Sequence, residues 1–296
     1  MVAKVEEQIV RLVDQVGYDE VSQLFKTLKG GKRLRAKLVM KIAPECGDAP
    51  LLGAVIELIH AASLLHDDVI DDAALRRGAP SVNATEGSKT AVMLGDILYS
   101  KAFASLVAFD RDIARTVADA VTALSVGEMQ DVRMADAFND DADAYMGMLY
   151  NKTASLIEAA AKGAALLAGK EGDRYALYGR NLGLAFQIID DILDIVSDEE
   201  TLGKPALNDY AEGKCTLPYI YLYEALESSD KARLKASHGK RLTPDESAWI
   251  KAKMEEHRCI EKSYLLARKL SDEAVAAVPD EAELAAIIET MMERTY

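Results

Sequence analysis

The chain has 296 residues, with 35 Lys and Arg against 49 Asp and Glu and a formal net charge of −14. That length can bury a sizeable core, and 50% apolar residues exclude a disordered chain. The acidic balance excludes a general nucleic-acid binder, because neutralising phosphates needs a basic face.

Only seven prolines occur, and the 124 residues from Ser81 to Lys204 contain none, so no obligatory helix breaker interrupts them. The opening MVAKVEEQIVRLVDQ mixes acids into its apolar pattern, unlike a secretory leader. Apolar residues at three- and four-residue steps predict helices over 3–15, 18–28, 33–44, 49–71, 87–109 and 111–133. The same pattern continues over 141–168, 172–196, 215–228, 244–256, 259–277 and 280–294. Gly30-Gly31, Gly78-Ala79-Pro80 and Gly203-Lys204-Pro205 mark loops. The expected architecture is all-α, a single domain over 1–296 built as one helical bundle around a deep central cavity. No uninterrupted apolar run approaches the roughly 18 residues of a spanning helix. Cys46, Cys215 and Cys259 lie far apart with no CxxC pair, so neither a disulfide framework nor a zinc site is suggested. The expectation is a reduced, soluble, cytoplasmic protein.

Two segments carry chemistry. In ELIHAASLLHDDVIDDAALRRG (57–78), Asp67, Asp68 and Asp71 stand at i, i+1 and i+4, and in FQIIDDILDIVSDEETLGKP (186–205) Asp190, Asp191 and Asp194 repeat that spacing. On a helix the three positions fall at about 0°, 100° and 40°, which puts three carboxylates in one sector within about one turn. With 26 Asp in the chain, one such triplet is expected about 0.2 times by chance, so two are informative where one would not be. Each lies beside strongly apolar sequence that a solvated face does not require. Three like charges in one turn repel unless a cation sits among them. Hard oxygen donors without Cys or paired His suit Mg²⁺ or Mn²⁺, with water and substrate phosphates completing the shell. Bases follow the acids: Lys32, Arg33 and Arg35 after the glycine pair, Arg76 and Arg77 after the first triplet, Lys152 beside Thr153, and Lys204 and Lys214 after the second. Acids paired with downstream bases suggest a metal-bridged phosphate with direct Arg and Lys contacts. His60, two turns before Asp67 on the same face, reads either as a phosphate contact or as a satisfied core histidine, and His66 as a helix-surface or supporting residue.

From about Gly30 to Thr216 the chain resembles the trans-type isoprenyl diphosphate synthases, or polyprenyl synthetases. The motifs GGKRLR, LLHDDVIDDAALRRG, LGD, NKTASL, FQIIDDILD and GKPALNDYAEGKCTLP follow in that family's order. The resemblance implies the isoprenoid synthase fold, a homodimer, and a cavity between the two aspartate-rich helices. It implies that Asp67, Asp68, Asp71, Asp190 and Asp194 hold three Mg²⁺ ions on the allylic diphosphate, with Mn²⁺ able to substitute and Asp191 one step removed. Arg76, Lys152 and Lys204 would contact the same diphosphate, with Lys214 nearby. Lys32, Arg35, His60 and Arg77 would bind isopentenyl diphosphate. Ala36 departs from the family's usual proline and bears on the rigidity of a helix start. Thr153 and Gln187 are candidate dipoles beside an allylic carbocation.

Ala62 and Ser63, one turn before the first triplet, are both small, and in the family small residues there accompany longer products. A long-chain product near octaprenyl length is therefore expected, with only transient membrane contact for its release. A short-chain farnesyl or geranylgeranyl diphosphate synthase is the alternative. A class I terpene cyclase would mix Asn, Ser or Thr with Glu in its second motif, and a regulatory partner subunit would lack one triplet.

Overall fold

The computed structural model describes residues 2–28, 31–196 and 207–293. The predicted all-helical class holds, and the packing divides into two compact units, one of residues 1–121 and 156–179, the other of 122–155 and 180–296.

The first unit is built on α4 (Ala49–Ile70), a 22-residue helix with Pro50 in its first turn, where a missing N–H costs no hydrogen bond. By length and composition α4 could cross a membrane, because its best window averages 1.5 in hydropathy despite Glu57 and His60. The sequence reading, which counted uninterrupted runs, did not single it out. Yet 72% of that window is buried inside the protein, so its apolarity is that of a core helix. Leu52, Ile56 and Ile59 of α4 are fully buried, each contributing about 1.5–3 kcal/mol. Around it pack α1 (Val2–Asp14), α3 (Leu34–Ile42) and α6 (Ser88–Leu106). Gly53 lets α1 come close, since a Cβ there would stand 3.2 Å from Val5 Cγ2, and Gly95 does the same for α6, where a Cβ would meet His66 Nε2 at 2.3 Å. The short α2 (Asp19–Thr27) and α5 (Val82–Glu86) also belong to this unit.

The predicted 49–71 helix ends on a feature the periodicity missed. Leu75–Arg76 and Ala79–Pro80 pair as a two-residue antiparallel hairpin, with Arg77 and Gly78 both at positive φ in its turn. The hairpin and α5 occupy the region before α6, and α6 stops at Leu106, short of the predicted 109.

Helix α7 (Arg111–Ala135) contributes its first part to the first unit and its second to the other. The predicted 141–168 helix is three pieces: α8 (Ala142–Leu149), a π-helical segment Tyr150–Ala154, and α9 (Ser155–Leu167). A π segment inserts one residue into the helical repeat and often marks a functional position. The long α10 (Gly172–Val196) follows, then Asn208–Ala211, Leu217–Ala225, Ser228–Ser237, Pro244–Glu256, Cys259–Ala277 and Ala282–Met292. Ser228–Ser237, in which four of ten residues are charged and the apolar face is weak, was not predicted. In the second unit Tyr210 and Tyr219 stack at 4.3 Å, and Thr243 with Glu246 forms a complete capping box.

Candidate active site

Both acid triplets stand at the C-terminal ends of their helices, and neither helix has a basic residue in its last turn. Acids there oppose the helix dipole, so these carboxylates are placed against the interest of the fold. In the first triplet Asp68 is buried, Asp67 is half-buried and Asp71, at the helix cap, is exposed. Arg76 Nε donates to Asp68 Oδ1 at 2.5 Å from the hairpin. Asn83 Nδ2 and the Ala73 amide both donate to the Asp68 carbonyl, so the turn after α4 is tied to its last acids. Burial raises the Asp68 pKa, helped by Asp71, and outweighs the opposing pull of Arg76. Asp68, expected among the metal ligands, thus has one oxygen on an arginine, while Asp67 and Asp71 are the more accessible pair. Arg76, expected on a diphosphate, is held at Asp68.

The predicted isopentenyl diphosphate residues gather in the same unit. Arg33 takes a left-handed φ of 51° at the start of α3 and bonds Glu6 (2.7 Å) and Glu57 (3.2 Å). Glu57, buried in α4, also accepts from the Ala36 amide at 3.0 Å. It is the anionic anchor of this basic corner and escaped the sequence reading. A lone acid within an apolar helix was its one available signal. Burial lowers the Arg35 pKa, as does Arg77, while Glu57 opposes. Among the described residues, buried Arg35 Nε has no hydrogen-bond partner. The Arg77 guanidinium lies so close to Gly31 that a Cβ there would meet Nη2 at 2.7 Å. Lys32 is exposed.

His60 feels burial first, then Arg35, Arg77, Arg76 and Arg33, all of which push its pKa well below the usual value. It is therefore neutral at pH 7. On acidification the unfolded chain takes up a proton near pH 6.5 and the folded one resists, so stability falls as pH drops. The slope from this group is at most about 1.4 kcal/mol per pH unit. Melting curves of His60→Gln and the parent should differ in pH dependence, the parent losing more between pH 7 and 5. A gap independent of pH would refute this assignment. His66 lies elsewhere on α4, against the Val92 carbonyl (3.2 Å) and Tyr99.

In the second unit Lys152, in the π segment, binds Asp131 Oδ2 at 2.6 Å and Glu128 Oε2 at 2.8 Å, both from α7. Burial works to lower its pKa, but the two acids hold it above its ordinary value. Glu128 and Asp131 were not predicted. Their i, i+3 spacing beside the mid-helix Gly127 is the signal that could have found them. Thr153 Oγ1 donates to Gln187 Oε1 (3.2 Å), and Gln187 Nε2 donates to Asp191 Oδ1 (3.1 Å). The Tyr145 hydroxyl donates to the other Asp191 oxygen. Burial, then Asp209, pushes Asp191 up to about 8 against the opposing hydrogen bonds. Asp190 is exposed, and Asp194 is buried and accepts from the Asp209 amide at 3.1 Å. Lys214 pairs with Glu212. Lys204 lies outside the described residues.

Among the described residues, no three Asp, Glu, His or Cys form a ready-made metal cage. The donor set fits an ion that relies on few carboxylates and takes its remaining ligands from water and phosphate oxygens.

The polyprenyl synthetase family model matches residues 19–254. The short chain isoprenyl diphosphate synthase of Methanothermobacter thermautotrophicus is 40% identical over 217 residues, covering 69% of this chain and 67% of that protein. Among solved structures, octaprenyl pyrophosphate synthase from Helicobacter pylori superposes with a TM-score of 0.90 at 39% identity, covering 98% of this chain and 96% of that one. Polyprenyl synthase from Caulobacter crescentus, solved with calcium and isoprenyl diphosphate, gives 0.88 at 28% identity over 99% of this chain and 94% of that one. Matched over residues 19–254 and in fold, the chain belongs to the polyprenyl synthetase family: it is a prenyltransferase, a trans-polyprenyl diphosphate synthase.

Proposed function

We propose that this synthase condenses isopentenyl diphosphate with an allylic prenyl diphosphate, repeating the step to a long-chain product near octaprenyl length. The observation that carries the reading is the basic corner of the first unit. Its buried Arg35 Nε has no hydrogen-bond partner among the described residues, and the neutral His60 lies in the field of four arginines, an arrangement that an anion completes.

Asp67 and Asp71 of the first unit, and Asp190 and Asp194 of the second, would hold Mg²⁺, with Mn²⁺ able to replace it. When bound, it supplies positive charge that stabilises the departing diphosphate. Asp68 orients Arg76 for that same anion. Lys152, Lys204 and Lys214 add cationic donors, Lys152 exchanging its acid partners for phosphate oxygens. Arg35, Arg77, Lys32 and His60 hold the diphosphate of isopentenyl diphosphate. The allylic C–O bond breaks with its electron pair leaving on diphosphate. The isopentenyl double bond then forms the new C–C bond, and a proton passes from the adduct to the released diphosphate. Thr153 and Gln187 turn dipoles toward the carbocation, in surroundings that exclude water.

The long-chain reading draws support from the octaprenyl relative, which aligns over nearly the whole chain, and from Ala62 and Ser63, both small and buried. Ala62→Tyr should shorten the product and cost about 1–3 kcal/mol in stability from overpacking. Unchanged chain length on reversed-phase chromatography would defeat the wall assignment. A homodimer is supported by apolar side chains that α6 leaves outward, including Met93 at 55% and Phe103 at 37% exposure, with Val107 at 85% just past its end. The overall reading is tested by incubating the protein with isopentenyl and farnesyl diphosphates and Mg²⁺. A prenyl ladder abolished by EDTA is expected, and a cyclised hydrocarbon or no product would overturn it.

A further inference from the structure

Tyr145 is not among the residues that the acid triplets or the basic corner call for, yet it is joined to them. It is 3% exposed in α8, and its hydroxyl has one acceptor among the described residues, Asp191 Oδ2. Asp191 is equally buried and takes its second hydrogen bond from Gln187 Nε2 at 3.1 Å. The far end of that amide, Oε1, accepts from Thr153 Oγ1 at 3.2 Å. Three elements are thereby strung on one line: α8, α10 and the π segment.

The line has a direction. Gln187 Nε2 can only donate, so Asp191 Oδ1 accepts in either protonation state of the carboxyl, and Tyr145 engages the other oxygen, Oδ2. With the nitrogen end of the amide committed to Asp191, only its oxygen end faces Thr153. The Thr153 hydroxyl must then donate inward, and all it can present on its other side is lone pairs. A hydroxyl presenting lone pairs stabilises a neighbouring carbocation, and one presenting its proton opposes it.

We propose that Tyr145 is a positioning residue that fixes the polarity of this relay, so that Thr153 offers oxygen lone pairs and never its proton to the cationic intermediate. The inference rests on the reading above that Thr153 borders the reacting carbons. Without the Tyr145 O–H, Asp191 has one donor for two buried oxygens and can turn about its side chain. The Gln187 amide is then free to reverse, and Thr153 recovers its proton for the site.

A double-mutant cycle of Tyr145→Phe with Thr153→Val tests this. Tyr145→Phe should lower kcat about 10-fold, while the KM for isopentenyl diphosphate, whose basic corner lies in the other unit, stays within about twofold. Thr153→Val should lower kcat by at least as much, and the double variant should be no worse than Thr153→Val alone. Gln187→Met, which cuts the line in the middle, should be non-additive with Thr153→Val in the same way. Losses that multiply in the cycle would overturn the relay, as would a lower melting temperature with unchanged kcat. An unimpaired Thr153→Val would overturn it together with the placement of Thr153. In each case the prenyl ladder made by the parent protein stands as a separate result on the overall function.

Discussion

Asp71→Asn should leave the fold intact and remove prenyl transfer almost completely. Asp71 is exposed at the C-terminal cap of α4, where its backbone N–H reaches the carbonyls of Asp67 and Val69 and its side chain lies in solvent. A negative charge at that end opposes the helix dipole, so its removal should change stability by less than about 0.5 kcal/mol, and in the stabilising direction. On the proposed reading Asp71 is a hard oxygen donor to the Mg²⁺ that would stabilise the leaving diphosphate, so a loss of about 10²- to 10³-fold in kcat/KM is expected. Asp68→Asn should behave differently. It breaks a buried carboxylate away from Arg76, so stability and activity should fall together. Product extraction across a Mg²⁺ titration, with thermal melts alongside, separates the two variants. Activity of Asp71→Asn within about threefold of the parent would remove Asp71 from the metal site.

The contrast between Asp71 and Asp68 marks how far sequence spacing reaches. Periodicity located the helices and put three carboxylates on one sector of α4 and of α10, because both facts are properties of a single helix. Which carboxylate is buried depends on a hairpin eight residues on, whose Arg76 closes over Asp68. No repeat in the sequence announces a hairpin of two-residue strands. Glu57 was illegible for a similar reason: its partners Arg33 and Ala36 come from α3, 24 and 21 residues away. Tyr145 is 46 residues from Asp191, and a buried tyrosine in an apolar helix looks like any other core residue until its hydroxyl is seen to have an acceptor.

The two units also solve the problem of buried charge by different means. In the basic corner Glu57 and Glu6 hold Arg33, which leaves Arg35 and Arg77 as the cations that Glu57 only partly balances. In the second unit Lys152 is fully engaged by two acids before any substrate arrives. On the proposed reading Lys152 exchanges carboxylates for phosphate, so part of its attraction for substrate is spent on leaving Asp131 and Glu128. That exchange works only if the lysine is held within reach of both sets of oxygens, which makes the backbone beneath it the most sensitive point of the second unit.

Gly127 is that point. It lies inside α7, where glycine is a poor helix former and alanine would ordinarily stabilise by about 0.5–1 kcal/mol. A Cβ at Gly127, however, would stand 2.2 Å from the Lys152 amide nitrogen and 2.7 Å from both Asn151 C and Lys152 Cα. These are backbone atoms, which no rotamer change can move aside. The helix and the π segment must part by about 1 Å, carrying Lys152 from Asp131 and Thr153 from Gln187, a displacement large enough to cost about 100-fold in rate. Overpacking of this kind should also lower stability by about 1–3 kcal/mol in spite of the better helix propensity. Gly147 in α8 supplies the control, since nothing lies within 4 Å of a Cβ built there. Gly147→Ala should be neutral or stabilising and fully active, so the two variants, identical in chemistry, should differ in sign in the melt and by about two orders of magnitude in kcat/KM. If Gly127→Ala instead matched Gly147→Ala in both measurements, close approach of α7 to the π segment could not be what sets the position of Lys152.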